Sequence, residues 1–290
     1  MTRSLLTRSL AAIAVFLCAQ APLAAALLRA YAQSNAYAST VPQVTTPLVD
    51  TGFVGGSSLL AYSDQITNSN GASSSQSSYN ISAQFGTLRL TAQTGGSAAV
   101  DPDRPYLFQF AGGQVLSFVQ WSDRMTVIGP SGVPVQIAAT IQMDARGALV
   151  GAMGTSTANR LDFRYSLPSL APVSMVIPNL MGEYVYRETY ILTLLPGVHN
   201  ISSYLGTDVR AQARVQEGWP TEAGSGIFAG GTAKMYLDVL TPGASYTLES
   251  GADLRSPLPA EVPEPSSLVM TLAGMAVVSF GMRKHRSTPR

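Results

Sequence analysis

The chain is poor in the residues that usually carry chemistry. It holds one cysteine in 290 residues, Cys18, within an N-terminal stretch patterned as a removable segment. The mature part would then have no thiol. That excludes disulfides, a cysteine-based metal site and a cysteine nucleophile. Histidine is almost as scarce, and His199 is the one that stands between the two ends. A Ser-His-Asp hydrolase would have to use it, yet no Gly-x-Ser-x-Gly elbow occurs. His199 follows Pro196-Gly197 and precedes Asn200, which reads as a turn. Zinc normally needs several His or Cys ligands, and these are missing. No catalytic residue, metal site or cofactor is assigned.

Charge is thin as well, at 12% of residues. With the two ends set aside, 11 basic residues face 16 acidic ones, a net charge near −5. A mildly acidic surface argues against nucleic acid as a partner. Long amphipathic stripes are also lacking between the ends, and 26 glycines and 18 prolines disfavour long helices.

What recurs instead is alternation. Phe85–Thr91, Tyr106–Phe110, Val115–Trp121, Val133–Met143 and Leu161–Tyr165 read as strands, as do Val209–Val215 and Ala233–Val239. Thr241–Ser245 is turn chemistry, after which Tyr246–Ser250 is expected to return as the second arm of a hairpin. One-sided alternation marks an antiparallel sheet with one wet face. The expected fold is all-β, an antiparallel β-sandwich of jelly-roll-like arrangement. Ser63–Asn80 is nearly all Ser, Asn, Gln and Gly and is expected to be a flexible loop. Pro257–Pro265 is expected to be an extended spacer.

Carboxylate pairs are the remaining catalytic candidates. Glu183 and Glu188 would point to opposite faces of one strand, which leaves a glycoside hydrolase a distant third reading. Asp101-Pro102-Asp103 contains two oxygen ligands for calcium, but no complete ligand loop accompanies them. Tyr184, Tyr186 and Tyr190 share a strand face with Glu188. Exposed, these rings would stack on sugars; buried, they are ordinary sheet packing. Trp121 and Trp219 carry the same ambiguity.

The ends are more specific than the middle. Arg3 and Arg8 precede an apolar run, Leu10–Leu17, and Ala-rich sequence follows, as in a secretory signal peptide. Small-residue cleavage patterns stand at Ala24-Ala25-Ala26, Ala30-Tyr31-Ala32 and Ala36-Tyr37-Ala38. Leu17 before Cys18 does not suit a lipobox. At the other end, Pro263-Glu264-Pro265 precedes an uncharged apolar run from Leu268 to Met282, then Arg283, Lys284 and Arg286. About fifteen helical residues span about 22 Å, short of the roughly 30 Å hydrocarbon core. Flanking residues or local thinning must make up the rest. The basic cluster places the tail in the cytoplasm and the preceding chain outside.

This order of elements resembles the PEP-CTERM sorting signal of certain Gram-negative bacteria. The resemblance rests on Pro263, Glu264, Pro265, the apolar run and the basic tail. It implies export by Sec-type machinery, a membrane-held precursor and recognition by an exosortase. It also implies destination at the cell surface or in an exopolysaccharide, biofilm or floc matrix. Thr126–Gly132 and Tyr246–Gly251 look loosely like segments of other passengers with this signal.

The expected organisation has three parts. Residues 1–38 form signal peptide and flank, cut between 26 and 38. Residues 39–256 form the passenger, and 257–290 hold the spacer, motif, transmembrane helix and basic tail. The expected function is a non-enzymatic surface or matrix protein. A polysaccharide-binding module is the alternative.

Overall fold

The computed structural model describes residues 26–39, 42–55, 59–70, 73–99, 109–151, 155–215 and 222–256. The chain divides after Leu254 into two units, and the second lies almost wholly outside the described residues. The first is built from strands. They are β1 (Leu27–Ala38), β2 (Val44–Thr45), β3 (Val49–Asp50), β4 (Val54–Gly55) and β5 (Leu60–Ser69). Then come β6 (Ser73–Gln84), β7 (Thr87–Ala99), β8 (Gln109–Ile128), β9 (Val135–Gly151) and β10 (Thr155–Ser166). The last are β11 (Val173–Pro178), β12 (Gly182–Leu194), β13 (Gly197–Val215), β14 (Glu222–Val239) and β15 (Ser245–Leu248). No helix occurs among the described residues.

Two antiparallel sheets result, as expected of a sandwich. One runs β11-β10-β13-β8-β1, with β2, β3 and β4 along β1 and β15 beside β8. The other runs β12-β9-β14-β7-β6-β5. The long pairs are nested: β10 with β11, β9 with β12, β8 with β13, β7 with β14. Successive strands from β7 to β14 mostly change sheets, which is the winding of a jelly roll. β15 departs from the expected hairpin. It pairs with β8 in the opposite sheet, so the Thr241–Ser245 turn is a crossover.

The core is graded by side-chain size. Toward one end Trp121, Met125, Phe163, Ile137, Ile141 and Met143 are fully buried. Toward the other the inner faces carry Ala36, Ser75, Ser77, Thr94, Ala111 and Ala213. There the backbones approach closely. A Cβ at Gly113 of β8 would collide with the Ser77 and Thr94 hydroxyls of the facing sheet.

That small-residue zone explains why Ser63–Asn80 is not a loop. It forms most of β5 and β6, which meet around Asn70. Ser73, Ser75 and Ser77 alternate inward and are buried. Ser77 donates to the Asn35 carbonyl at 2.6 Å and pairs with the Thr94 hydroxyl at 2.7 Å. A serine little larger than alanine fits where a larger side chain would force the sheets apart, and a bonded hydroxyl removes most of its burial cost. Composition marks the stretch as unable to bury itself, and serine on both faces of β6 hides the alternation from the sequence.

The N-terminal boundary also moves. The sequence reading places residues 27–38 outside the passenger, yet β1 pairs with β8 along its whole length, from Leu27 to Ala38. Leu28, Ala30, Ala32 and Ala36 are buried. Arg29 clasps Asp50 with two hydrogen bonds, at 3.2 and 3.0 Å, and holds that carboxyl below its ordinary pKa. The folded unit therefore takes in the chain from Ala26, not from Ser39. The alanines of the two later cleavage patterns, Ala30, Ala32, Ala36 and Ala38, lie on the inward face of a strand.

The C-terminal strap closes the large-residue end. Leu237 N–H donates to the Leu254 carbonyl at 2.7 Å, and the Leu254 side chain fills the space left by Gly86, whose φ is +80°. Buried Asp123 accepts from the Ser250 hydroxyl and from the backbone N–H of Arg124 and Ser250. Arg124 and Glu249 pair beside it at 3.7 Å. Burial raises the Asp123 pKa, although those hydrogen bonds oppose the shift. The folded state thus holds this proton more tightly than the unfolded chain. The group's contribution to stability is greatest below the unfolded value of 3.8 and falls as pH rises through the raised folded value. Asp123→Asn should flatten that part of the curve, read by thermal unfolding of both proteins between about pH 3 and pH 7. Parallel curves would contradict the assignment.

Candidate functional site

The sorting residues Pro263, Glu264, Pro265, Arg283, Lys284 and Arg286 lie outside the described residues, as do the expected signal peptide core and transmembrane helix. Asp101, Asp103 and Trp219 lie outside them too. Among the described residues, no helix is long and apolar enough to cross a membrane. No cluster of three or more His, Cys, Asp or Glu that could hold a metal occurs among them.

The aromatic candidate is fully described. Tyr184, Tyr186, Glu188 and Tyr190 alternate on β12, an edge strand, in register with Ala145, Met143, Ile141 and Ala139 of β9. The three rings are half-buried and pack against the core. The Tyr165 hydroxyl, from β10 in the other sheet, meets those of Tyr186 at 2.8 Å and Tyr190 at 2.7 Å. Phe163 stands edge-on to Tyr186 at 6.4 Å, and the Tyr184 hydroxyl reaches the Met175 sulfur at 3.2 Å. Tyr186 also donates to Glu188. Burial raises the pKa of Tyr165 and of Tyr186, the latter further through its bond to Glu188. Hydrogen bonds from Tyr186 and Tyr190 lower that of Glu188.

This is a seam that closes one side of the sandwich. The rings spend their faces on Phe163, Tyr165 and Met175, which favours the packing reading. Glu188 is a charge on the inward face of an edge strand, a known device against edge-to-edge pairing. Glu183 is outward and binds Arg146 at 2.7 Å. The two carboxylates therefore lie on opposite faces, without the facing geometry a glycosidase needs.

Trp121 is buried edge-on to Phe85 at 6.4 Å, so it offers no platform. His199 stands on β13 opposite Met125 and not in the expected turn, and its Nε2 contacts the Leu195 carbonyl at 2.9 Å.

A second aromatic lies elsewhere. Phe228 of β14 sits on the outer face beside a shallow concavity of ≈ 400 Å³ bordered by Asp64, Ser78, Asn80, Thr91 and Gln93. Its ring reaches over Gly230, where an added Cβ would come within 3.2 Å of the ring tip. A flat ring flanked by amides, hydroxyls and one carboxylate has the chemistry of a shallow saccharide site. Sequence reading misses it because six of its border residues, among them Asp64, Ser78 and Asn80, lie in the stretch expected to be a loop.

Comparisons with known proteins bear on the tail. No curated protein matches the chain. A solved structure titled "Structure of infectious bursal disease virus Gx strain" aligns over 89% of this chain and 75% of its own, at 7% identity. Its TM-score of 0.15 is too low to carry an argument. Residues 261–287 match the PEP-CTERM protein-sorting motif. The match covers the Pro-Glu-Pro element, the apolar run and the basic cluster in one segment. Residues 261–287 therefore carry a PEP-CTERM protein-sorting signal, the mark of an exosortase substrate.

Proposed function

We propose that the jelly-roll unit is a non-catalytic passenger, held at the membrane as a precursor and released by exosortase to the cell surface or extracellular matrix. The sorting motif at 261–287 carries this reading. The N-terminal signal enters the Sec pathway and is cut at Ala24-Ala25-Ala26. That site lies just ahead of β1, whereas the two later alanine patterns lie within it. A sheet fold without thiols needs no oxidative staple once exported.

A second reading is favoured by one observation, the Phe228 concavity. On that reading the passenger binds polysaccharide through the outer face of the β12–β5 sheet, not through Tyr184, Tyr186 and Tyr190. Cell fractionation with and without the matching exosortase tests the first reading. The protein should move from the surface or medium into the inner-membrane fraction when the enzyme is removed. An unchanged distribution would overturn it.

A further inference from the structure

Three turns meet at the large-residue end of the sandwich. They are Gly129–Pro134 after β8, Leu195-Pro196 after β12, and Leu240–Ala244 after β14. Their proximity is fixed by backbone pairing. Ser245 is the partner of Ile128, Gly197 that of Val127, and Leu240 N–H donates to the Gln136 carbonyl at 2.9 Å. A Cβ on Gly129 would touch both Ala244, at 3.6 Å, and Pro196, at 3.9 Å.

The composition of this end is unusual for a protein surface. Residues 128–134, 194–198 and 239–245 contain no charged side chain. They expose large apolar groups: Ile128 at 49%, Val133 at 47%, Leu195 at 59%, Val198 at 53% and Leu240 at 49%. Single exposed apolar residues need no explanation, but a cluster marks an interaction surface. The nearest charges stand back from the tips. They are the Arg124–Glu249 pair and Asp238.

The position of this end indicates the occupant. The strap that ends the folded unit starts at this end with β15 and runs back from it, held by Ser250 on Asp123 and Leu254 on Leu237. Fourteen residues beyond Leu254, at Leu268, the apolar run begins. An extended stretch of that length reaches at most ~50 Å. On the proposed membrane-held precursor, a lipid surface therefore lies within reach of this end. Uncharged Pro-Gly turns with apolar tips, backed by a charged collar, have the layering of an interfacial contact.

We propose that these three turns are a lipid-contacting face that seats the passenger on the bilayer while the precursor is tethered. The proposal rests on the membrane-held precursor and adds an orientation to it. Seating would hold the strap, and the cleavage motif beyond it, close to the headgroups where a membrane protease works.

The test uses the full chain with Cys18→Ser, inserted into phosphatidylethanolamine–phosphatidylglycerol vesicles. An environment-sensitive fluorophore is attached at Leu195→Cys or, as control, at Gln76→Cys on the outer face of β6. Lipid-borne nitroxide quenchers should reduce the signal severalfold more at 195 than at 76. Adding Ile128→Ser, Val133→Ser and Leu240→Ser should bring the 195 signal to the control level. Co-sedimentation with vesicles and the sheet signal in circular dichroism should persist. Equal quenching at both sites in sedimenting protein overturns the seat but leaves the membrane-held precursor intact. Failure to sediment overturns both. A probe at 195 shielded from lipid and aqueous quenchers alike, with crosslinked dimers, assigns the face to a second copy and also overturns the proposal.

Discussion

Glu264→Ala is expected to abolish release of the passenger while leaving membrane insertion unchanged. The two prolines around Glu264 restrict the backbone to an extended path and remove two N–H donors. Such a segment enters a protease cleft without first unfolding a helix. The Glu264 carboxylate is the last charge before the apolar run, and the run sets its depth. On the proposed membrane-held precursor, Arg283, Lys284 and Arg286 would resist outward slippage, because moving a charge through the bilayer centre costs roughly 2.5–3.5 kcal/mol even on the lenient insertion scale. Neutralising those three should therefore weaken retention and orientation, a different defect from that of Glu264→Ala. Mass measurement of surface-released protein separates the two. Equal amounts of product with the same mature mass from Glu264→Ala and the parent would remove the mechanism.

Deleting β1 should unfold the passenger. A chain that starts at Ser39 loses the strand that pairs with β8 from Ala111 to Ser122. It also loses the partner of β2, β3 and β4. Leu28 alone, fully buried, would cost about 2–5 kcal/mol if cut to alanine. Total stabilities of domains are only about 5–15 kcal/mol, so the loss of the whole strand exceeds what the remainder supplies. A chain starting at Leu27 should show one cooperative thermal transition by circular dichroism, and one starting at Ser39 should show none. Matching midpoints would place β1 outside the fold after all. The same comparison bears on where the signal peptide is cut, since processing after Ala32 or Ala38 would leave the damaged form.

The fold is legible where one face of a strand is distinctly apolar. Val209–Val215 and Ala233–Val239 alternate because their even and odd positions meet different solvents, and both are strands. β6 escapes such a reading because serine serves as a core residue there, in a zone too narrow for Leu or Ile. β1 escapes it because alanine at every second position suits both a tight strand and a leader-peptidase site. The nested pairing of β7–β14 around β8–β13 is non-local, and no short-range signal encodes it. The sorting signal is fully legible, since a linear tag is read from consecutive residues. Tyr184, Tyr186 and Tyr190 show the opposite limit. Period two establishes that they share a face, and only Tyr165 from another sheet reveals that this face is turned inward.

Intact-mass analysis of the protein released from cells that contain the matching exosortase tests the central claim most directly. One species should be found, beginning no later than Leu27 and ending close to Pro263–Pro265, so that β1 is kept and the apolar run and basic tail are gone. A released species that retains Arg290, or one that begins beyond Ala38, would contradict the account.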